Sequence, residues 1–347
     1  MKKTFLYFLI IFCLGLGTFV FFTEKEKVIK VTPFVNELPQ GVPFAGLKFA
    51  EEMKESGYHF EWALMQEQPK KREYLKRFSY FLKNLKTEKI IFNNLNPPFS
   101  KAKLKQIPKE KLVLISWEPP SVFDHQYTQE VLDLFGIVLT WHDEMIDGKK
   151  FIKFHYPALR PLDENLPLFE ERKLLCMINS NLKFNDFEKE LYSMRRAAVS
   201  FFEEKPQGTF DLYGKGWEGF KNAKGRVPDK QEALKGYKFN FCFENAAVPG
   251  YVTEKIFDSF AAGAIPIYLG APNIEDYIPK ECFIDYRQFS DFEEMLSFLQ
   301  KMTKKEYESY LSHISTYLKS PESQKFTWEC FSETLSELLT HEMEKTL

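Results

Sequence analysis

The densest chemistry in the sequence lies between Lys238 and Gly270, which reads K-F-N-F-C-F-E-N-A-A-V-P-G-Y-V-T-E-K-I-F-D-S-F-A-A-G-A-I-P-I-Y-L-G. The apolar run predicts a strand ending at Phe243 that exposes Glu244 and Asn245 at its carboxyl end, where open α/β sheets bind ligands. A loop with Pro249 and Gly250 leads to Thr253, placed as an N-cap whose hydroxyl can satisfy an early helix amide. Glu254 and Lys255 then fall in the first helical turn, where free amides and the helix dipole favour an anion such as a phosphate. Lys255 adds a point charge, and Glu254 is an acceptor suited to ribose hydroxyls. Gly263 follows the last apolar residue as a helix stop. An isolated T-E-K is ordinarily a capped surface helix with a solvated lysine, so the weight rests on the whole string.

Two further places carry reactive side chains. Glu118 follows the apolar run Lys111–Trp117 and precedes Pro119 and Pro120, so it stands at a strand end. Trp141-His142-Asp143-Glu144 could suggest acid–base or metal chemistry, but it reads best as a loop. The chain has no D-x-D, H-E-x-x-H or C-x-x-C. A metal held by the protein is therefore not expected. The five cysteines, Cys13, Cys176, Cys242, Cys282 and Cys330, are scattered and leave the redox compartment open.

The elements that must position these residues follow from periodicity. Residues 88–92, 111–117 and 135–140 read as buried strands, and the charged stretch 70–86 has helical spacing. A Pro-rich, acidic stretch at 156–173 reads as a linker. Beyond it, 173–178, 209–214, 237–243 and 264–269 read as strands, with helices at 186–202 and 254–262. Phe326, Cys330, Phe331, Leu335, Leu338 and Leu339 mark one face of a closing helix. Strands alternating with helices imply mostly parallel sheets. The chain has 347 residues, with 47 basic against 49 acidic, 44% hydrophobic and 28% charged. That suffices for about two domains and excludes global disorder. The near-neutral balance argues against a nucleic-acid partner, which would need a basic face.

At the amino terminus Met1, Lys2 and Lys3 precede an uncharged apolar run of 18 residues, Phe5–Phe22. As a helix it would be roughly 27 Å long, close to the hydrocarbon core of a bilayer. It is expected to be a retained single-pass type II anchor holding the chain to a membrane, with a cleaved signal peptide or a buried helix as the alternatives. Such an anchor would place the protein in the Golgi of a eukaryote or the cell membrane of a bacterium.

The joint pattern resembles glycosyltransferase family 10, the α-1,3/4-fucosyltransferases. The resemblance rests on Phe243-Glu244-Asn245, Tyr251-Val252-Thr253-Glu254-Lys255 and Ala264-Ile265-Pro266 through Gly270. It is carried further by Asp276-Tyr277-Ile278-Pro279, Phe283-Ile284-Asp285 and the upstream Asp211-Leu212-Tyr213-Gly214-Lys215-Gly216. It is strong over about 174–318, looser over 88–165 and unrecognisable before residue 88. It implies an α/β GT-B fold, two Rossmann-like domains facing a cleft and preceded by the N-terminal helix. The implied divisions are 1–27 as anchor, 28–165 as acceptor-binding domain, 166–320 as GDP-fucose-binding domain, and 321–347 as a helix crossing back to the first.

The resemblance also implies roles. Lys255 and an upstream arginine contact the donor diphosphate, Glu254 holds the ribose, and Asn245 and Tyr251 line the donor pocket. Arg195, with Phe202 seven residues on, fits the arginine best; Arg196 is the alternative. Glu118 matches the family's first-domain glutamate, often E-S-P, with Pro119 here in place of the small polar residue. It would be the base that takes the acceptor hydroxyl proton. The implied reaction is inverting transfer of L-fucose from GDP-β-L-fucose to a glycan containing galactose or N-acetylglucosamine, in α-1,3 or α-1,4 linkage. No tightly bound cofactor and no essential divalent metal are expected. Another GDP-sugar, or a non-catalytic sugar-binding relative, are the competing readings.

Overall fold

The computed structural model describes residues 29–31, 89–95, 100–182 and 187–344. The apolar run 5–22 and the helix read at 70–86 lie outside the described residues. Among those described, no helix is long and apolar enough to cross a membrane. The described chain divides into two compact units. The first holds residues up to Trp141, then Met145–Phe154, then those from Ser332; the second holds His142–Glu144 and His155–Phe331.

The first unit is built on a parallel sheet in the order β1 (Ile29–Val31), β2 (Lys89–Asn93), β3 (Leu112–Ser116), β4 (Ile137–Thr140) and β5 (Phe151–Lys153). Every residue of β3 and β4 is buried, which is why both read as unbroken apolar runs rather than alternating ones. Short helices α1 (Lys101–Leu104), α2 (Pro120–Phe123) and α3 (Gln129–Leu132) fill the connections. Leu104, Val131, Leu132, Leu134 and Phe135 pack onto Ile90, Phe92, Leu112, Leu114 and Val138.

The second unit carries β6 (Lys173–Ile178), α4 (Tyr192–Glu203), β7 (Phe210–Tyr213), α5 (Lys230–Lys235), β8 (Tyr237–Phe243), α6 (Glu254–Ala261), β9 (Ile265–Leu269) and β10 (Ile284–Asp285). These are followed by α7 (Phe292–Lys301) and α8 (Lys304–Leu318). Helix α9 (Trp328–Glu344) ends the described chain, with Phe331 and Leu335 buried. The sheet order is β10-β9-β8-β6-β7, parallel throughout. One face, from Leu175, Met177, Phe210, Leu212, Phe239, Phe241, Phe243, Ile265 and Ile267, packs with Ala198, Val199 and Phe202 of α4 and Met295, Leu296 and Leu299 of α7. On the other side, α6 contributes Ile256, Phe257 and Phe260 to a second core with Cys242, Tyr268, Ile314 and Tyr317.

The stretch read as a linker, 156–173, has no strand or α-helix before β6 begins at Lys173, as its prolines predict, yet it is pinned to its own unit. The Leu159 N–H donates to Phe326 O and the Asp163 N–H to Ala261 O, each at 2.9 Å. Arg172 buries its guanidinium against the carbonyls of Tyr237, Ala262 and Gly263 at 3.2, 3.3 and 2.8 Å. The Ala262 and Gly263 carbonyls are acceptors that the end of α6 leaves without intrahelical partners. Gly263 ends that helix with φ +64°; a side chain there would meet Leu166 Cδ1 at 2.6 Å.

Candidate active site

In the second unit, β6 is flanked by β7 on one side and β8 on the other, so successive connections leave the sheet in opposite directions at the β6–β8 pair. In open α/β sheets such a switch point, at the carboxyl ends of the strands, is where ligands bind. The three cationic or polar groups read from the sequence meet there. Arg195 comes from α4, which follows β6; Asn245 follows β8; Lys255 opens α6. Arg195 NH2 donates to Phe243 O at 2.6 Å and to Asn245 Oδ1 at 2.9 Å. Its guanidinium lies 4.8 Å from the Tyr192 ring centroid. Arg195 is buried, and its Nε has no hydrogen-bond partner among the described residues. Burial lowers its affinity for its proton, with Tyr192 and Glu244 acting the other way. The neighbouring Arg196 is instead only partly buried, and donates to Leu182 O at 3.0 Å.

Glu244 departs from the expectation of an exposed strand-end acid. Its side chain has 0% exposure. It accepts from the Thr253 N–H at 2.9 Å, from Thr253 Oγ1 at 2.8 Å and from Lys255 Nζ at 2.9 Å. The reason lies on the neighbouring strand: Gly270 follows β9, and a Cβ there would come within 2.6 Å of Glu244 Cγ and 2.4 Å of the Tyr268 hydroxyl. The glycine leaves room for the carboxylate to turn inward beneath the α6 amino terminus. Thr253 is the N-cap of α6, accepting from the Lys255 N–H while its hydroxyl is tied to Glu244. The glutamate thus fixes both the cap and the lysine.

Lys255, only 12% exposed, also lies 3.6 Å from Glu254 Oε1. Burial works against its charge, but Glu244 and then Glu254 hold it well above the ordinary lysine range. Glu254 keeps 47% of its side chain exposed. Desolvation pushes its carboxyl up, and Lys255 and Lys230 together overcome that and hold it down to about 2. Lys230, which sequence reasoning passed over, pairs with the buried Asp258 at 2.8 Å. Nothing in its spacing distinguished it from a solvated lysine. Tyr251 is buried, its ring 6.0 Å from that of Tyr156 and its carbonyl accepting from the Tyr268 hydroxyl at 3.4 Å.

Within the W-H-D-E string, Trp141 belongs to the first unit and His142–Glu144 to the second, where Asp143 is tied to its surroundings. Asp143 accepts from the Tyr277 hydroxyl at 2.6 Å and from Asn273 Nδ2 at 2.9 Å, and its N–H reaches Pro249 O at 3.2 Å. Glu118 belongs to the first unit, two residues beyond the end of β3, near the strand end where its place after the apolar run puts it, and it is half-buried. No group of three or more His, Cys, Asp or Glu among the described residues is placed to hold a metal ion.

The model of glycosyltransferase family 10 (fucosyltransferase), C-terminal part, matches residues 170–345, just over half of the 347-residue chain. The chain belongs to glycosyltransferase family 10. Among curated family relatives, an alpha-(1,3)-fucosyltransferase of Helicobacter pylori is 44% identical over 75 residues, covering 21% of this chain and 16% of the relative. The mouse 4-galactosyl-N-acetylglucosaminide 3-alpha-L-fucosyltransferase 9 is 28% identical over 185 residues, covering 52% of this chain and 46% of the relative. The matched parts therefore span less than half of either curated relative. A crystal structure of an alpha-1,3-fucosyltransferase superposes with a TM-score of 0.50 at 18% identity, over 78% of this chain and 87% of that one. The family 10 fold here is GT-B-like, two all-parallel sheets with helices between strands.

Proposed function

We propose that this family 10 chain is an inverting fucosyltransferase that moves L-fucose from GDP-β-L-fucose to a hydroxyl of a glycan, forming an α-1,3 or α-1,4 link. The observation that carries the reading is the convergence of Arg195, Asn245 and the Lys255-bearing start of α6 at the β6–β8 switch point. A diphosphate is the ligand suited to a buried guanidinium, an ammonium and free helix amides together. The acceptor class follows from relatives described as acting on 4-galactosyl-N-acetylglucosaminide, so galactose- and N-acetylglucosamine-containing glycans are the first candidates.

In this mechanism residues 28–165 receive the acceptor and 166–320 the donor. Glu118 takes the acceptor hydroxyl proton as the oxygen attacks the anomeric carbon. The bond from that carbon to the β-phosphate oxygen breaks, and its electron pair leaves with GDP. The transition state resembles an oxocarbenium ion. Arg195 and Lys255 stabilise the charge growing on the diphosphate, which preorganised donors in a water-poor site do most strongly. Glu254 accepts from the ribose hydroxyls, its carboxyl being ionised throughout the neutral range.

The test is turnover of GDP-fucose and, separately, GDP-mannose against a panel of galactose- and N-acetylglucosamine-containing acceptors, with linkage analysis of the product. Preference for GDP-mannose would replace the donor assignment. Binding of a glycan with neither donor binding nor GDP release would point to a non-catalytic sugar-binding protein. Glu118→Gln should reduce transfer to a small residual rate and leave GDP-fucose binding intact; normal turnover in that variant removes Glu118 as the base.

A further inference from the structure

Asn94 stands at the carboxyl end of β2, one residue beyond the strand, in a backbone conformation that L-residues rarely adopt. Its φ is +50°, and it is the non-glycine residue with positive φ among those described. Asparagine tolerates this region better than most residues, but the conformation persists only where its surroundings over-determine it. Here they do. Asn94 is buried, its N–H donates to Ile115 O at 2.8 Å, and its side-chain oxygen accepts from the backbone N–H groups of Trp117 at 2.8 Å and Glu118 at 3.0 Å.

The other side of Glu118 is held as well. Its carbonyl accepts from the Tyr127 hydroxyl at 2.7 Å and from Gln126 Nε2 at 3.1 Å. Gln126 is fully buried, and its own carbonyl oxygen accepts from the Leu95 N–H at 3.0 Å. The same Gln126 amide reaches Asn94 Oδ1 at 3.4 Å, closing the ring. Burial holds the Tyr127 phenol well above the ordinary tyrosine range, so it remains a donor through the neutral range. A single residue is therefore gripped at its N–H and at its C=O by three side chains from two different connections of one sheet. A strand end that needed only to stop would not require this.

The geometry points to Asn94, with Gln126 and Tyr127, as a positioning device that fixes the Glu118 backbone so that its carboxylate is held where the acceptor proton must go. The inference rests on Glu118 being the base. Catalytic groups displaced by about 1 Å can lose on the order of 100-fold in rate, so orientation of the residue has a kinetic readout separate from folding.

The test uses the full chain, with GDP release from GDP-fucose measured in the presence of N-acetyllactosamine, or by slow hydrolysis in its absence. Asn94→Gly keeps the positive φ at no steric cost and deletes the acceptor; Tyr127→Phe deletes one hydroxyl with almost no change in volume. The expected result is a fall in kcat of roughly 10- to 100-fold for Asn94→Gly and a smaller fall for Tyr127→Phe, with Kd for GDP-fucose unchanged in both. Asn94→Asp, which restores the acceptor oxygen, should recover kcat, with the acidic limb of the pH profile shifted upward because a second carboxylate opposes ionisation of Glu118. In a Glu118→Gln background, Asn94→Gly should cause no further loss. The inference is overturned if Asn94→Gly and Tyr127→Phe keep wild-type kcat while Glu118→Gln falls to its residual rate. It is also overturned if their losses add fully to that of Glu118→Gln, the mark of a merely structural role. Full activity of Glu118→Gln would show instead that the base has been misassigned, and the positioning argument would fall with it.

Discussion

The Lys255 ammonium donates to the Glu244 carboxylate at 2.9 Å, and Glu244 has no solvent exposure. The lysine that would meet a donor phosphate is thus also the counter-ion of a buried acid. Breaking a buried pair from one side costs about 3–5 kcal/mol, because the remaining charge is left without compensation. Lys255→Ala should therefore lower the urea midpoint of the free protein as well as its affinity for GDP. Glu244→Gln in the same background should restore part of the midpoint and none of the affinity. Additive midpoints across the four proteins would show that the pair is not coupled.

Gly270 faces the same carboxylate from the next strand. A Cβ at this position would lie 2.6 Å from Glu244 Cγ and 2.4 Å from the Tyr268 hydroxyl, and Tyr268 is itself buried. Overpacking of this kind costs about 1–3 kcal/mol. Gly270→Ala should destabilise by that amount and weaken GDP binding by displacing Glu244, and with it Thr253 and Lys255. Calorimetry with GDP on the folded variant checks the second half; unchanged affinity would show that Glu244 does not carry the α6 amino terminus.

The strands buried on both faces were legible in the residues. Apolar runs at 173–178 and 237–243 coincide with β6 and β8, since a central parallel strand needs no polar face. Strands β1 and β5 have three residues each and β10 has two, too short to show a period. The expected start of the helix at 186 lies outside the described residues; among those described, α4 begins at Tyr192, and Glu190 just before it is drawn into a bridge with Ala246. The candidate site divides in the same way. Thr253, Glu254 and Lys255 announce a helix start by type and order. Whether Glu244 points outward or inward depends on Gly270 and Thr253, which only the fold brings to it. Asn94 was passed over in the residues, because its hydrogen bonds to Trp117 and Glu118 span 23 and 24 residues.

Acid should act on the α6 terminus through Glu254. Its folded-state carboxyl is held down to about 2 by Lys255 and Lys230 against an ordinary value of 4.5. A group depressed on folding stabilises the native state above its unfolded pKa and loses that contribution as pH falls through the folded one. The loss should therefore develop between about pH 4.5 and 2, and Glu254→Gln should flatten that part of the stability profile. Because nearly half of the side chain is exposed, solvent screening keeps the effect small, below the full shift. Urea midpoints measured across this window for both proteins decide it; superimposable slopes would mean that the two lysines do not act on Glu254.

Arg195 differs from Lys255 in what a substitution leaves behind. Its NH2 already spans Phe243 O and Asn245 Oδ1, while Nε has no hydrogen-bond partner among the described residues and is buried. A planar guanidinium can hold a backbone carbonyl, a side-chain amide and an anion at once, whereas an ammonium is a point charge on a flexible stem. Arg195→Lys retains the charge and loses the fork. If charge alone binds the diphosphate, the variant should keep wild-type affinity for GDP. If the fork is required, it should lose roughly 10- to 100-fold, the range of one charge-assisted hydrogen bond of about 1.5–3 kcal/mol. The second outcome is expected, since burial already works against the charge on Arg195 and its contacts at the β6–β8 pair are directional. Asn245→Ala supplies the independent check. It removes one of the two acceptors that orient the guanidinium while leaving the charge untouched, so it should weaken GDP binding less than Arg195→Lys and leave kcat with saturating donor nearly unchanged.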